Sequence, residues 1–320
     1  MVDQDLVFLT ECSNKELEVL VNIILEKGNF SEMLSVNDTY KKYKPDHKKY
    51  VDVIAEEIID YGARGGGLRR AIFGARPYRD IVLDVCRKTK TPVNKAADIE
   101  RMENALLEQM LWDSWEKLSE REKREILQTL GAEGTKLAGR GGLAAGALIQ
   151  IFRAGGFTSY KLVLFVANAV VWAVLGRGLS LAVNAGLARA LGVLTGPIGI
   201  TLTALYTVYD IAGPAYRVTI PAVIYIAALR QIHIGKALWE KKLEKEALVE
   251  EEKNGAAEGK EEPSDGESVA EEAAAVRKEK EVLGKEPWKG YGAAAGREEN
   301  APNGGAPKKE DGLAGEKILG

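Results

Sequence analysis

The feature that most constrains this chain is a long region, 131–235, that is rich in glycine, alanine and aliphatic residues and nearly lacks charge. A soluble stretch of this length ordinarily carries about 25 charged residues. The segments 162–176 and 190–209 contain none. Helices that are apolar on all sides must be buried in protein or in lipid. We therefore predict an all-α protein, a helical bundle with a Gly/Ala-rich apolar region. From Gly141 to Gly235 the sequence contains six bases and one acid, which are Arg153, Lys161, Arg177, Arg189, Arg217, Arg230 and Asp210.

The residues before this region are typical of amphipathic helices. Ser13 with Glu16, and Ser119 with Glu122, have the spacing of capping boxes and predict helix starts. Residues 78–90 predict another helix. A helix before Gly62, its predicted C-cap, is indicated by an apolar stripe at helical spacing, formed by Val51, Ile54, Ala55, Ile58 and Ile59.

The residues after the apolar region change from apolar to charged. Pro214 and Pro221 interrupt the chain, so we predict that the last long helix covers 222–252. Beyond Lys253 large apolar residues are too few to offset chain entropy, which predicts a disordered tail. The predicted organisation is a short N-terminal helical module (1–30), a charged amphipathic domain (31–130), the apolar region ending in a charged helix (131–252) and the tail (253–320).

Composition excludes several classes of function. The net charge of −3 gives no general attraction to nucleic acid, and no nucleic-acid partner is expected. Two cysteines and two histidines argue against a disulfide framework and a multi-histidine metal site, and predict reduced buried thiols. No serine-hydrolase, zinc-protease or kinase motif occurs. We predict no catalytic residue, no metal and no cofactor, and therefore a protein that is not an enzyme. The first residues lack the basic start of a signal peptide.

A glycine-rich loop at 62–67 is a weak candidate for anion binding. Backbone amides and arginines can surround an anion, and lipid headgroups or nucleic acid would suit it as well as a nucleotide. The loop has no Gly-Lys-Ser/Thr ending and no preceding strand, so it matches neither common nucleotide motif. A helix end followed by a flexible turn is the favoured interpretation. The candidate residues are Arg64, Gly65, Gly66, Gly67, Arg69 and Arg70.

Asp210 is the only acid between Gly141 and Gly235. An isolated charge in an apolar environment is costly unless it is paired. A buried ion pair with Arg217 or Arg189 is the structural interpretation. A polar group on a membrane pathway is the functional one.

Several segments resemble the YaaW family of uncharacterised bacterial proteins. The clearest is the block 215–223, AYRVTIPAV, and segments at 5–17, 78–85 and 106–117 agree in order. The resemblance implies a short N-terminal domain followed by a region similar to ubiquinol–cytochrome c chaperones, which are helical, non-enzymatic and act on a membrane-protein client. The chain departs from the family at 62–67, where Phe-Gly-Gly and small polar residues are typical, and in its charged tail. The candidate structural or partner-binding residues are Tyr78, Arg79, Asp84, Asp210, Tyr216, Arg217 and Pro221, with ion pairs expected between Arg79 and Asp84 and between Arg217 and Asp210.

Two hypotheses remain for residues 131–235. In the first, these residues form the core of a bundle and are covered by the charged helices. In the second, they contact a bilayer. The segment 190–209 has the length of a span but contains glycine, proline and threonine, and Arg177 interrupts 162–188. We expect a chaperone- or assembly-factor-like protein with an unidentified protein client. We expect it in the cytoplasm, peripheral to the inner face of the cytoplasmic membrane. The alternative is a membrane-active protein whose apolar helices insert.

Overall fold

The computed structural model describes residues 3–27, 32–62, 76–130, 145–175, 192–193, 195–200 and 216–256. These residues are helical and contain no strand, which confirms the all-α prediction for this part of the chain. Two 3₁₀ helices cover Gln4–Glu11 and His47–Tyr50. The α-helices are α1 (Asn14–Lys27), α2 (Glu32–Val36), α3 (Asp38–Tyr43), α4 (Val51–Gly62), α5 (Tyr78–Lys88), α6 (Ile99–Trp115), α7 (Glu120–Thr129), α8 (Ala145–Ala154), α9 (Gly156–Leu175) and α10 (Tyr216–Ala256).

Both predicted capping boxes are present and explain where two helices begin. The Ser13 amide donates to Glu16 Oε2 at 2.6 Å, and the Glu16 amide donates to Ser13 Oγ at 3.4 Å, directly before α1. Ser119 and Glu122 make the same reciprocal contacts before α7. Helix α6 therefore ends before Ser119 and α7 begins directly after it, as the second capping box predicts.

The long helix α10 lies at the centre of the bundle. It packs against α9, α6 and α1, and also against α4 and α5. Residues 222–229 are fully buried. The prediction that this helix starts at 222 was wrong, because α10 begins at Tyr216 and contains Pro221. The proline removes one hydrogen bond from the helix, and burial of the apolar residues around it compensates for that loss.

A sharp bend joins α8 to α9. The chain bends by 112° between the two helices. Gly155 and Gly156 lie at the bend with φ of 73° and 71°, a backbone region that residues with a Cβ rarely adopt. The bend folds α9 back so that it contacts both α8 and α10.

Helix α4 ends at Gly62, as predicted, and this glycine also allows α4 and α5 to approach closely. A Cβ added to Gly62 would lie 2.5 Å from both Cδ1 and Cγ1 of Ile81. The stripe predicted for α4 is buried on this side of the helix. The absence of a side chain at Gly62 is therefore a packing requirement.

The described helices share one hydrophobic core. Leu20 of α1, Ile54 of α4, Leu107 of α6 and Phe165 of α9 all belong to it and are fully buried. The described part of 131–235 thus packs against the helices of 1–130, as the first of the two hypotheses for that region predicts. The four-unit organisation stays a prediction. Most of the predicted tail, the glycine-rich loop from residue 63, and segments 131–144, 176–191 and 201–215 lie outside the described residues.

Candidate functional site

A buried ion pair joins α6 to α10. Arg230 Nε donates to Glu103 Oε2 at 2.5 Å, and Arg230 Nη2 donates to Glu103 Oε1 at 3.3 Å. The Glu103 side chain is 0% exposed and the Arg230 side chain is 11% exposed. Tyr78, at the start of α5, donates its hydroxyl to Glu103 Oε1 at 3.0 Å. Three helices therefore meet at one buried carboxylate.

The N-terminal 3₁₀ helix completes this polar network. Arg230 Nη2 donates to the Asp5 carbonyl at 2.5 Å, and its guanidinium lies 4.2 Å from the centre of the Phe8 ring. Asp3 Oδ2 accepts a hydrogen bond from the Tyr78 amide at 2.8 Å. The first residues of the chain are thus held to α5 and α10 by directional contacts.

Burial sets the protonation states in this network. It raises the pKa of the Glu103 carboxyl, and the hydrogen bonds from Arg230 and Tyr78 oppose that rise. Burial, together with the negative charge of Glu103, raises the pKa of Tyr78 well above its usual range. Tyr78 therefore remains a neutral donor, and the network joins α5, α6 and α10.

A second polar cluster lies beside the first and connects the N-terminal segment to α10. His233 Nε2 lies 3.6 Å from Cys12 Sγ and 3.2 Å from Glu16 Oε1. The His233 ring packs edge-on against Phe8, with ring centres 6.3 Å apart. Arg230 and His233 are three residues apart on α10, so they face the same side of the helix.

The second cluster holds a thiol that is not activated as a nucleophile. Burial raises the pKa of Cys12, and the negative charges of Glu16 and Glu11 raise it further. Burial also raises the pKa of Glu16, but hydrogen bonds from His233 and Ser13 outweigh it and the net shift is downward. Cys12 and Cys86 are both free and buried, as predicted. Cys12, Glu16 and His233 are the described side chains grouped closely enough to hold a metal ion.

The predicted pairing of Arg79 with Asp84 was wrong. Asp84 Oδ2 accepts a hydrogen bond from Arg76 Nη1 at 2.8 Å, and Asp84 Oδ1 accepts one from Arg87. Arg79 instead donates to the carbonyl oxygens of Lys95, at 2.7 Å, and Ala97. Residues five apart on a helix lie about 140° apart around its axis, so Arg79 and Asp84 point in different directions.

The remaining predicted residues are near the start of α10 or outside the described part of the chain. Tyr216 is half-buried, with Lys88 Nζ 5.3 Å from its ring centre, and Pro221 is buried. Arg217 is half-buried, and its charge lowers the pKa of Tyr61 in opposition to the larger effect of burial. Asp210 lies outside the described residues, so its pairing with Arg217 stays a prediction. The same holds for the loop candidates Arg64, Gly65, Gly66, Gly67, Arg69 and Arg70.

Two tryptophans present large apolar surfaces to solvent. Trp112 on α6 is 44% exposed and Trp172 on α9 is 53% exposed. Trp112 lies over the start of α8, because a Cβ added to Gly146 would lie 3.9 Å from its ring. A buried residue directly precedes each tryptophan, Leu111 before Trp112 and Val171 before Trp172. These two side chains are the described aromatic groups best placed to contact another molecule.

Comparison with known proteins identifies the family. Residues 82–224 match the family described as ubiquinol-cytochrome C chaperone. A UPF0174 protein of Helicobacter pylori strain J99 is 39% identical over 240 residues, which cover 71% of this chain and 91% of the relative. The chain belongs to the UPF0174 family. The UPF0174 protein YaaW of Escherichia coli strain K12 is 32% identical over 238 residues, covering 72% of this chain and 94% of YaaW. No solved structure matches.

The family assignment confirms the resemblance predicted from the sequence. The chaperone-like match begins within α5 and extends into α10 as far as residue 224. It includes both exposed tryptophans. The Glu103 end of the buried ion pair lies inside the matched region, whereas Arg230 and the N-terminal segment lie outside it.

Sequence reasoning missed the two residues at the centre of the site. Glu103 occupies an apolar face of α6 together with Ile99, Leu106 and Leu107. An acid at such a position signals a buried partner. Arg230 ends the apolar run at 222–229, which is an equivalent signal. Because 127 residues separate the two, the sequence did not show that each is the partner of the other.

Proposed function

We propose that this UPF0174 member is a non-enzymatic chaperone or assembly factor that binds a membrane-linked protein client. The observation that carries the proposal is the chaperone-family match over residues 82–224. The polar clusters of the described helices support it, because their pKa shifts favour a protonated Cys12 thiol and a neutral Tyr78 over a nucleophilic thiolate or phenolate. A role through helical surfaces remains.

Trp112 and Trp172 are the proposed contacts to the client. Tryptophan supplies much of the binding energy at protein interfaces because it buries a large apolar area with few rotatable bonds. An amphipathic helix is the client element that exposed aromatic groups on a helical surface accommodate most readily. Both side chains lie on helices of the matched region, whereas the N-terminal segment and α1 lie outside it.

The experiment is affinity purification of the full chain from detergent-solubilised membranes, followed by identification of the proteins that copurify. Wild type should recover a membrane-linked protein that W112A/W172A fails to recover. Val36→Ala is the matched control, since Val36 is 57% exposed and outside the matched region. Equal thermal stability of the three proteins would show that only the surface changed. Undiminished recovery by the double variant would refute the tryptophan contact, and a hydrolase activity in protein that recovers no partner would refute the proposed function.

A second candidate function is membrane insertion under some conditions. The observation that favours it is Tyr216–Leu238, a stretch of 23 residues that is long and apolar enough to cross a bilayer. Two spans are possible if the bent pair Ala145–Ala154 and Thr158–Ala173 acts as one. However, 72% of the most apolar part of Tyr216–Leu238 is buried in the bundle, so insertion requires α10 to leave its core position.

Flotation with liposomes separates the two candidates. A membrane-active protein would float with neutral or anionic vesicles in the absence of any client, whereas a chaperone would stay at the bottom of the gradient. The proposed location is the cytoplasm, peripheral to the inner face of the cytoplasmic membrane. Fractionation into cytosol, salt-washable membrane and detergent-only membrane tests it, and recovery only with detergent would contradict a peripheral location.

A further inference from the structure

We propose that Cys12, Glu16 and His233 form a binding site for a single Zn²⁺ ion that clasps the N-terminal segment to α10. The inference does not depend on the proposed function. It rests on three donor atoms of three kinds, a thiol sulfur, a carboxylate oxygen and an imidazole nitrogen, that lie within 4.8 Å of one another. Two come from the junction of the N-terminal 3₁₀ helix with α1, and the third comes from the centre of the chain's longest described helix.

The distances agree with tetrahedral zinc coordination. Zn–S bonds of about 2.3 Å and Zn–N bonds of about 2.0–2.1 Å place sulfur and nitrogen about 3.5–3.6 Å apart. Cys12 Sγ and His233 Nε2 are 3.6 Å apart. Nitrogen and carboxylate oxygen ligands should be about 3.3–3.5 Å apart, and His233 Nε2 and Glu16 Oε1 are 3.2 Å apart. The sulfur and the carboxylate oxygen lie within 4.8 Å of each other, and bringing them to the tetrahedral separation requires a shift of about 1.3 Å at most.

The donor set selects the ion. Ca²⁺ and Mg²⁺ prefer oxygen ligands only, so a thiol and an imidazole do not suit them. Zinc accepts sulfur, nitrogen and oxygen together. When the ion binds, the Cys12 thiol would release its proton to solvent. The direct contact between His233 and Glu16 would be replaced, and three metal–ligand bonds would form. Three protein ligands leave a fourth position for water.

The surroundings of the three residues hold them in place. The second oxygen of Glu16, Oε2, accepts hydrogen bonds from the Ser13 amide at 2.6 Å and the Ser13 hydroxyl at 2.7 Å. This leaves Oε1 directed at His233 and resembles the outer-shell contacts that orient metal ligands. Cys12 is fully buried, Glu16 is 7% exposed, and the His233 side chain is 22% exposed, which gives an ion a route from solvent.

The experiment uses tag-free full-length protein, freed of metal with a chelator and titrated with Co²⁺ as a spectroscopic substitute for Zn²⁺. One equivalent of Co²⁺ should produce a sulfur-to-cobalt charge-transfer absorption, and Zn²⁺ should abolish it by displacement. Zn²⁺ should also raise the Tm of wild type, because a ligand that binds the folded state stabilises it.

Variants locate the site and cover the risk that one of them fails to fold. C12S should remove the charge-transfer absorption, whereas C86S, which alters the chain's other thiol, should keep it. H233Q should weaken Co²⁺ binding at least tenfold, whereas H47Q should not. Glu16→Gln retains the capping box and should weaken binding while α1 stays folded. An absence of thiolate absorption in wild type, equal absorption in C12S, or equal Co²⁺ affinity in H233Q would overturn the proposal.

Discussion

Replacing Arg230 with methionine should destabilise the protein far more than replacing any exposed arginine. The methionine fills most of the volume of the arginine stem but donates no hydrogen bond. Glu103, which is 0% exposed, would keep only the Tyr78 hydroxyl as a donor, and the Asp5 carbonyl would lose the Arg230 contact. The variant thus leaves a buried carboxylate without its counter-charge.

The expected loss is about 3–5 kcal/mol of unfolding free energy, the usual effect of removing one partner from a buried ion pair. The Asp5 carbonyl also loses its hydrogen bond from Arg230, so we expect a loss near the upper end of this range. Arg153 provides the matched comparison. It makes two hydrogen bonds to Glu108, at 2.8 and 2.6 Å, but its side chain is 68% exposed. A pair exposed in this way contributes about 0–1 kcal/mol.

The loss in Arg230→Met should depend on pH. Burial already raises the pKa of Glu103 in the wild type, and removal of the guanidinium raises it further. The folded variant therefore binds a proton at a higher pH than the unfolded chain does. The difference in unfolding free energy between wild type and Arg230→Met should be smallest near pH 4.5, the ordinary pKa of glutamate. It should grow as pH rises through the pKa that Glu103 has in the folded variant.

Urea denaturation at pH 5 and pH 8 measures these free energies. Arg230→Met should lose several times more stability than Arg153→Met, and the gap should widen at pH 8. The double variant E103L/R230M should recover most of the loss, because no buried charge remains, although Tyr78 and Asp5 lose partners. A loss below about 1 kcal/mol for Arg230→Met, equal to that of Arg153→Met, would refute the reasoning.

Three further predictions follow from buried groups. Burial lowers the pKa of His47 from 6.5, so unfolding free energy should fall as pH drops below 6.5, and His47→Gln should flatten that dependence in urea titrations at pH 7.5 and 5.5. Burial raises the pKa of Tyr50 to about 12, so Tm should fall as pH rises from 10 to 12, and less steeply in Tyr50→Phe. Gly62→Ala should cost about 1–3 kcal/mol through its clash with Ile81, and Ile81→Val should relieve part of that in thermal unfolding; an unchanged Tm would contradict the close contact.

Local features of this fold could be predicted from the sequence because their causes are local. The capping boxes at Ser13 and Ser119 depend on residues three positions apart. The buried stripe of α4 depends on helical periodicity, which can be recognised from a few apolar residues at helical spacing. Pro221 misled the prediction of where α10 begins, because only its local effect was considered. Its local effect on a helix is unfavourable, but tertiary burial around it decides the outcome.

The candidate site could not be predicted because its parts are distant in sequence. Asp84 shows the difficulty over a short range, since several arginines lie nearby. Helical geometry favours Arg87 over Arg79, but Arg76 precedes α5 and reaches Asp84 through the path of the chain before the helix. Cys12 and His233 show it over a long range, since 221 residues separate them. Each residue had a plausible isolated interpretation, and only the packing of α1 against α10 brings them together.

The arrangement of polar contacts on α10 explains how one apolar helix acquires a defined orientation. Residues 222–229 are buried on all sides, and apolar contact alone is non-directional, so it distinguishes weakly between rotations of such a helix. Arg230 and His233 follow on the same face and make directional contacts, Arg230 with Glu103 and the Asp5 carbonyl and His233 with Cys12 and Glu16. Asp5 belongs to the N-terminal 3₁₀ helix and Glu16 to the first turn of α1, so these contacts link the rotation of α10 to the position of both elements. The chaperone-like helices α6 and α9 pack directly on α10. The N-terminal segment therefore contacts the helix on which α6 and α9 pack, although it contributes no residue to the matched region.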